Sequence, residues 1–120
     1  MLNLDTHILI KFVDGTLTHL ERNILTGDAE WGVSAIVLWE IEKLHSAGRL
    51  RYGLDDAVLA AAVSRLYIWP ITGEICLNLR SLDLRSDPAD ELIAATSFTH
   101  QVPLVTRDAR IRASKIVRCL

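Results

Sequence analysis

Apolar residues fall in short blocks along the 120-residue chain, and the blocks alternate in kind. The opening LNL reads as a buried strand over 2–4, and THILIKFV then carries its apolar positions at helical spacing, predicting a helix over 6–13. A second helix is expected over 17–25. WGV at 31–33 reads as a strand running into Ser34, an N-cap residue, and the helix it opens should reach about residue 47, stopped by Gly48. Asp55 or Asp56 starts an alanine-rich helix through Leu66. Residues 67–71 then read as a strand, 72–82 as a short helix, 87–100 as a longer one and 104–106 as a strand, with 116–118 a candidate last strand. No repeat, low-complexity tract or linker interrupts this order, and glycine and proline supply the punctuation. Strands alternating with helices predict one α/β domain over 1–120, a central parallel sheet with helices on both faces.

Composition adds bounds. A mass of 13.4 kDa allows one domain with one core. A hydrophobic fraction of 50% and a mean hydropathy of +0.25 leave apolar surface for a partner, either a second copy or a bound helper chain. Apolar runs such as 57–63 fall well short of the roughly 18 residues that span a bilayer. The opening MLNLDTHI carries an acid where a signal peptide carries positive charge, so a cytoplasmic protein with no membrane segment is expected. Cys76 and Cys119 match no metal spacing and read as free thiols. The net charge of -2 argues against a blanket basic surface. Basic residues nevertheless gather late, at Arg80, Arg85, Arg107, Arg110, Arg112, Lys115 and Arg118, as a solvated face or a local patch.

Four acids stand where the predicted topology would bring them together. In open α/β sheets the functional crevice lies beyond the carboxyl ends of the strands, and Asp5 and Asp108 directly follow strands, in NLDT and VTRD. Glu40 is embedded in the apolar stretch IVLWEIEKL, where a solvated acid is out of place, with Glu42 and Lys43 as its solvent-facing neighbours. Asp90 lies in the first turn of the helix that begins in SDPADELIAA, at the same rim. Carboxylates crowded in a crevice of low dielectric raise one another's pKa, and a cation relieves the repulsion. An all-oxygen set points to Mg²⁺ or Mn²⁺, and such an ion supports phosphodiester hydrolysis. Each acid also has an ordinary alternative as a cap, an exposed helix residue or a surface ion-pair partner. For Asp90 that alternative is specific. Asp87 followed by Pro88 has the form of an N-cap, and Asp90 three residues later stands where a capping-box acid sits. Glu91, about 100° further round the helix, points elsewhere.

LDT at 4–6, SAIVLWEI at 34–41, DPADELIAAT at 87–96 and PLVTRD at 103–108, in this order over nearly the whole chain, resemble the PIN-domain ribonucleases, and within them the VapC-type toxins of toxin and antitoxin pairs. The resemblance implies a three-layer α/β/α PIN-like domain and a metal-dependent endoribonuclease. It carries the metal and catalytic roles to Asp5, Glu40, Asp90 and Asp108, with Mg²⁺ or Mn²⁺ as cofactor, and secondary polar roles to Thr6, Ser34 and Thr106, for which capping is the alternative, most persuasive at Ser34. It further implies an RNA substrate cut to leave a 5′-phosphate, a cognate antitoxin and a homodimer. Arg85, Arg107, Arg110 and Arg112 are candidates for RNA phosphate, or equally for an acidic segment of the antitoxin. The chain departs from the family where Glu91 replaces a frequent Arg, where Arg85 and Ser86 replace a frequent His-Arg pair, and in a short tail without tyrosine.

Other classes share parts of this pattern. A phosphoacceptor receiver domain would use Thr106 and Lys115 but wants two acids after the first strand, where only Asp5 stands. A flap-type or other DNA nuclease would need a longer chain with a helical arch. A catalytically inactive binding module would have no need of all four acids. His7, His19, His45 and His100 have no ligand partner at a telling spacing and read as surface or helix-end residues.

Overall fold

The computed structural model describes residues 1–28 and 30–120. Four parallel strands, β1 (Leu2–Leu4), β2 (Trp31–Ser34), β3 (Tyr67–Trp69) and β4 (Leu104–Val105), lie in the order β3-β2-β1-β4. Among the described residues, seven α-helices join and cover them: α1 (Thr6–Asp14), α2 (His19–Thr26), α3 (Ala35–Ser46), α4 (Ala57–Val63), α5 (Gly73–Asn78), α6 (Pro88–His100) and α7 (Ala109–Arg112). The result is the expected three-layer α/β/α arrangement around a parallel sheet. None of the described helices is long and apolar enough to cross a membrane.

Strand order carries the functional consequence. The chain builds outward from β1 through β2 to β3, then returns through α5 and α6 to place β4 on the opposite side of β1. Order therefore reverses between β1 and β4, and a reversal of this kind opens a crevice at the carboxyl ends of the two strands. Asp5 and Asp108 lie there.

Both faces of β1 are covered. Leu2 and Leu4 join a core with Ile8, Leu9, Val33, Val37, Ile41 and Leu59. Asn3, one position out of phase, turns the other way, as alternate residues in a strand must. Its buried amide donates to the Ile93 carbonyl at 3.2 Å and to Ser97 Oγ at 2.9 Å, tying β1 to α6.

Helix starts follow their capping residues. Asp5, Thr18, Ser34, Asp56, Thr72, Asp87 and Asp108 all cap through side-chain oxygens, which settles the choice between Asp55 and Asp56. Four expectations need correction, the first being β3, which ends at Trp69 before Pro70 and does not reach residue 71. The segment 72–82 divides into α5 and a 3₁₀ turn over Leu79–Ser81. Helix α4 stops at Val63, short of Leu66. No strand forms over 116–118: the tail meets β4 at a single parallel bridge between Leu104 and Cys119, with Arg118 O accepting from Leu104 N and Leu120 N donating to Leu104 O.

Candidate active site

The end of β1 builds the centre. Asp5 is 3% exposed, and its extended backbone lets its Oδ1 accept from Thr6 N–H at 2.7 Å. The Thr106 hydroxyl, just past β4, donates to Asp5 Oδ2 at 2.5 Å and accepts from Asp108 N–H at 3.0 Å. Thr6 Oγ1 donates in turn to Glu40 Oε1, reaching from the first residue of α1 to the middle of α3. One polar chain thus connects Asp108, Thr106, Asp5, Thr6 and Glu40. Asp108 caps α7, its Oδ1 accepting from Arg110 N–H at 2.9 Å and Ile111 N–H at 3.0 Å.

The start of α6 contributes Asp90 from the other side. Asp87 caps the helix by accepting from Asp90 N–H at 2.9 Å, and Pro88 opens it. A capping-box acid at Asp90 would accept from the Asp87 N–H; instead Asp90 Oδ2 accepts from Ser86 Oγ at 2.8 Å. The return bond to the backbone belongs to Glu91, whose Oε2 accepts from Ser86 N–H at 2.9 Å. Glu91 therefore holds the entry loop.

Electrostatics record the convergence. Burial pushes the Asp5 pKa up, opposed by the bonds from Thr106 and Thr6, and the charge of Asp108 adds to the rise. Burial likewise raises Glu40, with the Thr6 bond opposing and Asp5 and Asp87 adding repulsion. Asp90 is pushed up to about 6, first by burial and then by Asp87, Asp5 and Asp108, against the Ser86 bond. Each of the three carboxylates has one hydroxyl partner. Among the described residues, no Lys or Arg forms a salt bridge with them or with Asp108.

This is a centre short of positive charge, and its donors are all hard oxygens, which fits Mg²⁺ or Mn²⁺. As the side chains stand, among the described residues no three acids, histidines or cysteines are gathered to ligate an ion together. The fit is therefore to a hydrated ion on one or two carboxylates, the usual habit of Mg²⁺, with the remaining acids acting through water.

The other expected residues divide. Thr6 and Thr106 orient carboxylates, whereas the buried Ser34 hydroxyl accepts from Ile36 N–H at 3.3 Å and caps α3. Arg107 turns to α2 and pairs with Glu21 through two 2.6 Å contacts. Arg112 Nη1 donates to the carbonyls of Thr106 at 3.1 Å and Leu120 at 2.8 Å. Arg85 and Arg110 are exposed. Glu42 is half-buried and accepts from Leu54 N–H at 2.9 Å, so it is not simply solvent-facing. His7, exposed, favours the ionised forms of Asp5 and Glu40; His45 Nδ1 lies 3.0 Å from the Leu50 carbonyl; His100 stacks on Trp69. Sequence reasoning missed Ser86 as a partner of Asp90, and it missed Glu21. The spacing of Thr18 and Glu21 signals a capping box, but nothing local signals the arginine that arrives 86 positions later.

Elsewhere, α1 and α4 border an apolar cleft of about 590 Å³ lined by Leu9, Phe12, Trp31, Val58, Ala62 and Leu66 among others. None of the four acids lines it.

Sheet order and crevice define a doubly wound α/β domain with an acid centre at its switch point. The PIN domain model matches residues 3–116, and the chain belongs to the PIN domain family. That membership sets aside the receiver alternative. Similar solved structures include VapBC2 from Rickettsia felis bound to a promoter DNA fragment, with a TM-score of 0.78 at 19% identity over 100% of this chain and 98% of that one. FitAcB from Neisseria gonorrhoeae follows with a TM-score of 0.69 at 20% identity, covering 100% and 97%. A toxin-antitoxin complex from Klebsiella pneumoniae gives 0.67 at 21%, covering 94% and 91%. At these identities the likeness is one of fold. No curated protein matches the chain.

Proposed function

We propose that this PIN domain is a Mg²⁺- or Mn²⁺-dependent endoribonuclease, the VapC-type toxin of a toxin-antitoxin pair. The observation that carries the reading is the set of three raised carboxylates, Asp5, Glu40 and Asp90, each with a hydroxyl partner and, among the described residues, none in a salt bridge, at the reversal of strand order. Asp5, Glu40, Asp90 and Asp108 would hold the ion, directly or through water. When bound, such an ion lowers the pKa of water and stabilises charge on a phosphodiester under attack. Thr106 and Thr6 fix the directions of Asp5 and Glu40, and Ser86 does so for Asp90. Arg85 and Arg110 are the arginines left to meet RNA phosphate.

The partner reading has its own support. The similar structures include toxin-antitoxin complexes, and the cleft between α1 and α4 has the apolar lining that takes one face of an amphipathic antitoxin segment. Exposed Trp39, Tyr67, Ile71 and Leu77 are candidates for a homodimer contact.

The purified protein should cut single-stranded RNA with Mg²⁺ or Mn²⁺, stop on addition of EDTA, and leave DNA of the same sequence intact. Asp90→Asn should be inactive; undiminished cleavage by that variant would sink the site assignment. Val58→Asp, in the cleft, should abolish binding of an antitoxin encoded immediately upstream while RNA cleavage persists. Retained binding would place the antitoxin elsewhere.

A further inference from the structure

We infer that Glu21 and Arg107 are a positioning pair, through which helix α2 sets Thr106 and Asp108 toward the acid centre. The inference rests on the reading of that centre as a metal site. Strand β4 has two residues and α7 has four, and elements this short do not hold their own geometry. The connection between them nevertheless carries two site groups, the Thr106 hydroxyl on Asp5 and the Asp108 carboxylate. Something outside the connection must fix it.

Arg107 stands between the two and goes the other way. The Asp108 N–H closes on Thr106 Oγ1 at 3.0 Å around Arg107, a tight turn, so an anchor at 107 fixes the placing of both its neighbours. The anchor is a forked one: Nε lies 2.6 Å from Glu21 Oε2 and Nη2 lies 2.6 Å from Glu21 Oε1. A guanidinium meeting a carboxylate in this parallel manner is held in orientation as well as in place. Glu21 is itself immobilised, its side chain only 12% exposed, by a capping box in which it accepts from Thr18 N–H at 2.8 Å. On the inner side Arg112 grips the Thr106 carbonyl and ties it to that of Leu120. Two of the arginines named as candidates for RNA phosphate or an acidic antitoxin segment thus brace the turn that carries Asp108.

The test is a titration of metal-free protein with Mn²⁺, read by the electron paramagnetic resonance of free Mn²⁺, alongside RNA cleavage kinetics. Glu21→Gln and Arg107→Gln should each weaken Mn²⁺ binding about tenfold, the loss typical of residues that orient metal ligands from outside. In both, kcat should fall while KM for RNA changes less than about twofold, and Arg107→Lys should recover part of the Mn²⁺ affinity. Thr18→Ala removes the hydroxyl that accepts from Glu21 N–H but keeps the Thr18 N–H that holds the Glu21 carboxylate, so it should lower Tm and leave Mn²⁺ affinity unchanged. Wild-type Mn²⁺ affinity in Glu21→Gln overturns the pair, as does a rise in KM for Arg107→Gln alone with Mn²⁺ binding intact, which would make Arg107 an RNA contact. If the wild-type protein binds Mn²⁺ but cuts no RNA, the nuclease reading fails, and the titration still decides the pair.

Discussion

Thr106 donates its hydroxyl to Asp5 across 101 positions of sequence, closing the gap between the first and last strands at the edge where the two acids meet. The same oxygen accepts from Asp108 N–H, so one side chain serves both strand ends. Thr106→Val keeps the shape and removes both bonds, leaving a buried carboxylate oxygen without its donor. A loss of about 1–3 kcal/mol is expected, a fall in Tm of roughly 4–12 °C for a domain of this size. Thr106→Ser should recover most of it. Thermal melts at pH 7 decide, and a Thr106→Val Tm equal to wild type would show the bond to be dispensable.

The acid centre makes the metal-free protein sensitive to pH with a definite sign. Asp90 has a folded pKa of about 6 against an ordinary 3.8, so the folded chain holds that proton more tightly than the unfolded one. Stability is highest below the ordinary value, declines as pH rises between about 4 and about 6, and stays reduced above. Asp5 and Glu40 move in the same direction. Glu21, held at about 2 by Arg107 against an ordinary 4.5, acts oppositely, its contribution being lost as pH falls through that range. In EDTA, Tm should therefore decline from about pH 4.5 to about pH 6, and Asp90→Asn should flatten the decline and raise Tm at pH 7 by roughly a few degrees. A variant melting below wild type at pH 7 would mark Asp90 as an ordinary helix-start residue.

Gly32 in β2 tests the packing behind the site. A Cβ there would stand 2.6 Å from Trp69 Cζ3 and 2.9 Å from the Tyr67 carbonyl, and the Trp69 ring is buried and stacked on His100. Because one obstacle is backbone, relaxation is costly. Gly32→Ala should destabilise by about 1–3 kcal/mol and Gly32→Val by more, seen as lower urea midpoints. Unchanged midpoints would show that Trp69 moves aside freely.

Elements and acids were legible for the same reason. Capping residues and short apolar blocks mark where strands end and helices begin, and in a parallel α/β domain those are the positions that meet at the crevice. Local signals do not report which groups meet across the fold. Ser86 stood out only as a departure from the family pattern, yet it supplies a hydroxyl to Asp90 and a backbone N–H to Glu91. Glu91 looked like a lost arginine and is a loop clasp. Arg107 was read by its charge as a candidate for RNA phosphate or for an acidic antitoxin segment, and in the fold it pairs with an acid on a helix far away in sequence. The apolar residues near the end suggested a strand, but register with β4 extends over one bridge only.

Placing β4 beside β1 also has a consequence in time. Asp5 is synthesised long before Asp108, and the two are adjacent only after β4 has docked beside β1. A nascent chain without β4 lacks the junction of Asp5 with Thr106 and Asp108. The growing chain thus lacks the completed crevice until β4 and the turn after it have been made, and whatever chemistry the assembled acids perform waits for that step.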